Sequence, residues 1–138
     1  MRTPFVLLMT LLSFVLGHAT ASSSPVRETL AIAQQRVAAG EAVLLDVRET
    51  ADWERGHAAC ALHAPLSALL LAPARIDALA QARGKIVYAF GATTPARMAA
   101  ARNALAKHGL SDVRLVDGGV AELASAGLAL EFGARRAS

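Results

Sequence analysis

The sequence is poor in cysteine and in aromatic residues. Cys60 is its only cysteine, and aromatic residues make up 4% of the chain, although 54% of its residues are hydrophobic. A single cysteine excludes an internal disulfide, so the fold must be stabilised by packing. Because aromatic side chains are rare, that packing must come mainly from leucine, valine, isoleucine and alanine. A chain of 138 residues is long enough for one small domain with a hydrophobic core.

Long runs of charge are also missing. The chain has 14 lysines and arginines against 11 aspartates and glutamates, which gives a net charge of +3, and its longest basic run is the pair Arg135-Arg136. Nucleic-acid-binding proteins concentrate their basic residues on one face, whereas these charges are scattered along the chain. We therefore expect no nucleic-acid partner.

An apolar segment, Phe5–Leu16, stands near the N-terminus. Its length suits the hydrophobic region of a signal peptide and is short for a transmembrane helix. Ala19 and Ala21 frame a small-residue cleavage site, which predicts a signal peptide over residues 1–21 and a mature chain that begins at Ser22. The lack of a cysteine at this point argues against a lipoprotein anchor. We expect export to the periplasm and no membrane contact after cleavage; the alternative is an uncleaved membrane anchor.

The remaining residues, 22–138, alternate apolar runs of strand length with segments of helical spacing, and they contain no linker or repeat. Strands that alternate with helices predict an α/β fold, with a parallel sheet covered by helices on both faces. The predicted helices are Val26–Ala39, Thr50–Arg55, Pro73–Arg83, Pro95–His108 and a short one ending at Ala126. The predicted strands are Ala42–Val47, Ala61–Ala64, Ile86–Phe90, Val113–Val116 and a final edge strand over Leu128–Phe132.

In a parallel α/β sheet, ligands bind beyond the carboxyl ends of the strands. That rule selects three stretches of this chain: Asp46 to Arg48, the loop from Phe90 to Thr94, and the turn at 117–119. In the loop, Thr94 is a good N-cap and the proline that follows suits the first helical position. A short loop of this kind directs several backbone N–H groups and the positive end of a helix dipole at one spot. The loop itself has no charged side chain before Arg97.

Two stretches of the chain carry a family resemblance. Residues 44–66 read LLDVRETADWERGHAACALHAPL, and residues 85–130 read KIVYAFGATTPARMAAARNALAKHGLSDVRLVDGGVAELASAGLAL. They resemble the two halves of a rhodanese-like domain: Asp-Val-Arg at a strand end, a short acidic-aromatic helix, Gly-His, an Asn/His-x-Pro-Leu stretch, the active-site loop, and an Asp-Gly-Gly turn. The match runs in order over residues 26–130. The size and the signal peptide are most similar to small single-domain periplasmic rhodaneses, and the resemblance implies their three-layer fold.

The resemblance also implies a site. Family members carry a cysteine at the end of the central strand, where its thiolate accepts a sulfane sulfur as a persulfide and passes it on. The residue at that position here is Ala89, and the loop that follows holds Phe90, Gly91, Ala92, Thr93 and Thr94. An alanine cannot form a persulfide, so we expect no thiosulfate sulfurtransferase activity by the family mechanism. The expected role is binding of a small anion, a sulfur compound or a protein partner at this loop, without a cofactor, with Arg97 near the mouth of the pocket.

Cys60 and its neighbours leave two alternatives open. Cys60 falls where the family usually has glycine, and it is a small buried residue, a substitute nucleophile for sulfur transfer, or the site of an intermolecular disulfide. His57, Cys60 and His63 have a spacing that suits a zinc or copper ion, which makes a metal-binding module the second alternative. A strand in this stretch would send alternate side chains to opposite faces and argues against the metal site.

The remaining candidate residues have structural interpretations. Asp46 is expected to accept hydrogen bonds at the end of its strand and to pair with Arg48, and both residues are also candidates for the pocket rim. Trp53 is predicted to pack at the edge of the core. Asp117 is expected to order the Gly-Gly turn that follows it.

Overall fold

A parallel β-sheet of five strands forms the centre of the protein, in the order β1-β6-β5-β2-β4. The structure, a computed structural model, describes residues 27–134, and the predicted signal peptide and cleavage site lie outside that range. The strands are β1 (Arg27–Glu28), β2 (Ala42–Asp46), β3 (His57–Ala58), β4 (Leu62–His63), β5 (Ile86–Phe90), β6 (Val113–Val116) and β7 (Leu130–Glu131). The helices are α1 (Leu30–Ala38), α2 (Thr50–Arg55), α3 (Leu66–Leu71), α4 (Ala78–Ala82), α5 (Pro95–Lys107) and α6 (Val120–Ser125).

Strand β2 shows why its apolar run is continuous. Its five residues are all buried, and it pairs in parallel with β5 on one side and β4 on the other. Val43 and Leu45 pack into one hydrophobic cluster, while Ala42 and Leu44 pack into another, because successive side chains of a strand point to opposite faces. A strand covered on both faces has no position for a polar residue until Asp46, where it ends.

The two hydrophobic clusters correspond to two helical layers. Residues of α3, α4 and α5 fill the first cluster, and residues of α1, α2 and α6 fill the second. The predicted three-layer α/β fold, with helices on both faces of a parallel sheet, is therefore confirmed. Trp53 is almost fully buried in the second cluster, as expected. Within residues 27–134, no helix has the length and apolar character needed to cross a membrane.

The predicted helix over residues 26–39 begins later than expected. Arg27 and Glu28 form the edge strand β1 beside β6, and the helix starts at Leu30, with the Thr29 hydroxyl as its N-cap. The Glu28 carboxylate accepts hydrogen bonds from the Tyr88 hydroxyl at 2.5 Å and from the Arg114 guanidinium at 2.6 Å. These long-range contacts hold the segment against the sheet, and helical spacing does not reveal them.

Two other predicted elements are corrected. The predicted helix over residues 73–83 is a 3₁₀ turn, Pro73–Arg75, followed by α4, because Ile76 adopts an extended backbone between them. The predicted last strand is shorter and does not join the main sheet. Leu130 and Glu131 pair antiparallel with His57 and Ala58, in a separate two-stranded sheet.

Candidate functional site

The candidate site lies at the carboxyl edge of the sheet, where β2, β5 and β6 end side by side. Phe90, the last residue of β5, is in register with Asp46 of β2 and Val116 of β6. Ala89 is 2% exposed and pairs with Leu45 and Leu115 in the middle of the sheet. The loop that follows β5 therefore starts from a rigid, buried strand.

A cavity of about 370 Å³ opens between this loop and the turn after β6. We call it the loop cavity. Its lining residues are Gly91, Ala92, Thr93, Met98, Val116, Asp117, Gly118, Gly119 and Glu122. The structure thus brings together two of the three stretches that the strand-end rule selects, the loop after β5 and the turn after β6. The other predicted site residues do not line the cavity: Ala89, Phe90, Thr94 and Arg97 of the loop region, and Asp46 and Arg48 of the predicted rim.

Thr94 and Arg97 support the start of α5 instead. The Thr94 hydroxyl accepts a hydrogen bond from the Arg97 N–H at 3.2 Å, which makes Thr94 the N-cap. The Arg97 guanidinium lies 3.5 Å from the Glu49 carboxylate, and Glu49 also accepts a hydrogen bond from the Ser67 hydroxyl at 2.7 Å. That bond from Ser67 holds the pKa of Glu49 below its ordinary value. Arg97 therefore faces a carboxylate in the folded protein.

Glu49 was missed by the sequence analysis. It directly follows the Asp46 to Arg48 stretch that the strand-end rule selects, so its place in the chain was a usable signal. Its contacts were not predictable, because Ser67 lies 18 positions further along the chain and Arg97 lies 48 positions further along. The carboxylate links α3 and α5 at the same edge of the sheet.

Asp46 and Arg48 form a buried ion pair at the base of the loop. Asp46 is 1% exposed, and it accepts hydrogen bonds from the Arg48 guanidinium, the shortest of 2.6 Å, and from the Arg48 backbone N–H at 3.0 Å. The guanidinium also donates to the Gly56 carbonyl at 2.8 Å and lies over the Phe90 ring. This is the pairing that the sequence predicted. All of these contacts are internal, so Arg48 holds the site together while its charge is neutralised by Asp46.

Gly91 allows the Arg48 side chain to cross the loop. Its φ is +91°, and a Cβ at this position would collide with Cγ of Arg48. Glycine alone adopts this backbone conformation readily and leaves room for the close approach. The position of the arginine and the course of the loop are therefore coupled at one residue.

The charge around the loop cavity is negative. Among the described residues, Asp117 and Glu122 line it and no lysine or arginine does. Glu122 accepts a hydrogen bond from the Gly119 N–H at 2.7 Å, which fixes the turn at the start of α6. Among the described residues, the lining of the cavity therefore has two carboxylates and no cation.

His57 and His63 are not brought together as metal ligands with Cys60. Both imidazoles stack on the Trp53 indole, with ring centroids 3.5 Å and 4.5 Å away. His57 Nδ1 lies 2.7 Å from the Trp53 carbonyl oxygen, and His63 Nε2 lies 3.0 Å from the Arg48 carbonyl oxygen. Over residues 27–134 no three histidine, cysteine or acidic side chains are placed to share a metal ion.

Cys60 is exposed, in contrast to the small buried residue that the sequence favoured. It lies in the turn between β3 and β4 and borders a small apolar space with Leu30, Val37, Leu44 and other residues on the α1 face of the sheet. None of the residues around this space lines the loop cavity. The thiol therefore lies outside the candidate site.

With this geometry established, comparison with known proteins identifies the family. The model of the rhodanese-like domain family matches residues 29–126, which is more than two thirds of the chain. The chain belongs to the rhodanese-like domain family. The comparison with curated proteins gives no match for this rhodanese-like domain.

Solved structures agree with that assignment. Thiosulfate sulfurtransferase from Pseudomonas aeruginosa is 28% identical, with a TM-score of 0.60 over 78% of this chain, although the match spans only 20% of that protein. The Alr3790 protein from Anabaena sp. is 23% identical, with a TM-score of 0.59 over 76% of this chain and 80% of that one. A rhodanese-related protein from Thermoplasma volcanium is 22% identical, with a TM-score of 0.56 over 77% and 97%. The last two support the fold alone.

Proposed function

We propose that this rhodanese-like domain is a non-catalytic binding module that holds a small sulfur compound in the loop cavity. The observation that carries the proposal is Ala89, a methyl group at the position where the family resemblance predicts the sulfur-carrying cysteine. Covalent sulfur transfer has no partial form once its nucleophile is missing. The loop after Ala89 nevertheless borders an open cavity and leads directly into the start of α5, which supports binding without chemistry.

The charges around the cavity narrow the class of ligand. Arg48 and Arg97 are paired with Asp46 and Glu49, and Asp117 and Glu122 line the cavity. Carboxylates repel an anion, and the nearby guanidinium groups are already neutralised. We therefore favour an uncharged or weakly charged sulfur compound over a strong anion such as thiosulfate. A protein partner that presents such a group to the loop is the second possible occupant of the same cavity.

A sulfur transfer assay tests the loss of catalysis. Thiosulfate is the donor and cyanide the acceptor, and the mature chain, its Cys60→Ser variant and its Ala89→Cys variant are measured side by side. We expect no turnover by the first two. In Ala89→Cys, the start of α5 favours a thiolate, which takes the sulfane sulfur of thiosulfate and releases sulfite. We therefore expect this variant to gain the mass of one sulfur atom, slowly, because the carboxylates of the cavity repel the donor. Robust turnover by the unmodified chain contradicts the proposal.

Cys60 keeps a second candidate function open, that of a sulfurtransferase or sulfur carrier. The observation in its favour is that Cys60 is an exposed residue in the turn between β3 and β4. It is separated from the loop cavity, so a persulfide on Cys60 would lack the loop N–H groups. Intact-protein mass after incubation with thiosulfate distinguishes the two candidates. Added sulfur on the native chain that is lost in Cys60→Ser would favour the carrier.

Export to the periplasm is part of the proposal and rests on the N-terminal sequence alone. The apolar segment of residues 5–16 and the small residues at 19 and 21 support cleavage before Ser22. Expression of the full chain in a Gram-negative host, followed by fractionation and N-terminal sequencing, tests it. We expect a periplasmic protein that begins at Ser22. A protein that retains residues 1–21 in the membrane fraction would support the uncleaved anchor instead.

A further inference from the structure

A second and larger cavity lies beside the edge strand β4, between α2, α3 and the segment of residues 75–81. Its volume is about 620 Å³, which falls in the range of small-molecule sites. We call it the edge cavity. Its lining residues are Thr50, Trp53, Glu54, Leu62, His63, Pro65, Ala68, Ala72, Arg75, Ile76, Asp77, Ala78, Gln81 and Ala134. None of them lines the loop cavity, so the two cavities are separate.

His63 presents an ordered hydrogen-bond acceptor in this cavity. Its Nε2 lies 3.0 Å from the Arg48 carbonyl oxygen, and because a carbonyl only accepts, Nε2 must carry the proton. Burial lowers the pKa of His63, so the ring is neutral at neutral pH and Nδ1 keeps its lone pair. The stack on Trp53 fixes the plane of the ring.

Within residues 27–134, no group donates a hydrogen bond to Nδ1 of His63. The fully buried polar atoms that lack a partner do not include this nitrogen. Since His63 lines the edge cavity and its Nε2 is engaged by the Arg48 carbonyl, Nδ1 is the ring nitrogen that remains to bond an occupant. His63 is half-buried. An acceptor with a fixed tautomer and a fixed ring plane is preorganised to receive one donor.

The rest of the lining sets the polarity of an occupant. Apolar side chains form the wall around His63, among them Leu62, Pro65, Ala68 and Ile76. Among the described residues, the charged side chains of the lining are Arg75 and two carboxylates, Glu54 and Asp77. The excess of negative charge disfavours anions, and the apolar wall disfavours strongly hydrated ligands.

We propose that the edge cavity binds a small, uncharged and largely apolar molecule that carries one O–H or N–H donor, and that this donor bonds to Nδ1 of His63. Phenols are the simplest molecules of this class, and toluene has the same shape as phenol without the donor. The inference does not rest on the function proposed for the loop cavity, because the two cavities share no residue.

The test is a pair of titrations, with phenol and with toluene, followed by ¹H–¹⁵N NMR of the mature chain. Toluene is the more apolar molecule, so the informative quantity is the ratio of phenol affinity to toluene affinity, compared between the native chain and His63→Phe. We expect this ratio to fall by about five- to tenfold in the variant, which corresponds to the loss of one hydrogen bond. Phenol, but not toluene, should shift the His63 Nδ1 resonance.

Ala68→Phe is the second variant, because a ring at this position on α3 fills the edge cavity and leaves His63 in place. We expect it to weaken both ligands at least tenfold and to leave the loop resonances unchanged. An affinity ratio that is the same in the native chain and in His63→Phe would overturn the proposal. So would a failure of phenol to shift resonances from the lining of the edge cavity, or phenol binding that survives Ala68→Phe.

Discussion

The loop cavity and the edge cavity differ in the residues that line them. The loop cavity lies beside the start of α5 at the carboxyl edge of the sheet, and within residues 27–134 no cysteine lines it. The edge cavity has an ordered and chemically distinct side chain, His63, in a place where the family resemblance predicted no site. On the proposed function, a site can keep its geometry without its chemistry, since one atom supplies the chemistry and many residues supply the geometry.

Arg48 connects the two cavities. Its guanidinium pairs with Asp46 and crosses Gly91 at the loop, while its backbone carbonyl accepts the hydrogen bond from His63. A change that moves Arg48 should therefore disturb both cavities. A change that leaves Arg48 in place should disturb only one of them. The following predictions separate these cases.

The largest effect is expected for Asp46→Ala. This variant leaves the Arg48 guanidinium, which is 14% exposed, without its carboxylate partner. Removal of one member of a buried ion pair costs about 3 kcal/mol or more of unfolding free energy. Urea denaturation measures the loss. NMR should show changed resonances both in the loop and at His63, because Arg48 contacts both.

Asp52→Ala is the matched control for that prediction. Asp52 and Arg55 form an ion pair of similar length, 2.8 Å, but their side chains are 52% and 77% exposed. We expect its removal to change the unfolding free energy by about 0.5 kcal/mol or less. Equal losses in Asp46→Ala and Asp52→Ala would show that the buried pair does not hold the two cavities.

Gly91→Ala should disturb both cavities, because it displaces the Arg48 side chain. The added Cβ collides with the Arg48 side chain, and a φ of +91° is strained for alanine, so we expect a loss of about 2 kcal/mol. Gly109→Ala is its control, since Gly109 has a similar φ of +82° and nothing within 4 Å of the added Cβ. The difference in unfolding free energy between the two variants isolates the contact with Arg48. If the two variants are equally destabilised, the close approach at the loop contributes nothing.

The larger elements of the fold were predictable because each has a local signature. The run of residues 42–46 is apolar without interruption since both faces of β2 are covered, and Thr94-Pro95 marks the start of α5. The strands β1, β3 and β7 were missed or misplaced because each has two residues and no local signal, whereas β4 is equally short but stands just before Pro65. Partners far along the chain define such short strands, as the Glu28 carboxylate and Tyr88 hydroxyl show for β1.

The difference between local signatures and distant partners also explains which parts of the sites were predictable. The Asp46 and Arg48 pair was predictable because the two residues are two positions apart and end a strand together. The edge cavity was not, since residues from α2, β4, α3 and the segment at 75–81 form its wall and no motif connects them. The spacing of His57, Cys60 and His63 suggested metal ligation, but Trp53 stacks with both imidazoles, and spacing alone does not show such an intervening ring.

A pH dependence should distinguish the edge cavity from the loop cavity. Burial lowers the pKa of His63 in the folded chain, whereas the unfolded chain titrates near the ordinary value of about 6.5. The unfolded state therefore binds more protons as the pH falls through that value, and the folded state is destabilised. We expect His63→Gln to lose less unfolding free energy than the native chain between about pH 7.5 and pH 5.5. Identical pH dependences in the two proteins would contradict the neutral ring on which the edge cavity depends.

The smallest effect is expected for Arg97→Ala. Arg97 and Glu49 are 3.5 Å apart and their side chains are 41% and 42% exposed, so their pairing should contribute about 0.5 kcal/mol or less. Glu49→Gln should cost more, because Glu49 also accepts hydrogen bonds from the Ser67 hydroxyl and backbone N–H. A larger loss in Arg97→Ala than in Glu49→Gln would show that Arg97 supports the loop directly. The expected order is a larger loss in Glu49→Gln than in Arg97→Ala. It would show that contacts of Arg48 stabilise the loop cavity and that Arg97 affects the cavity only through Glu49.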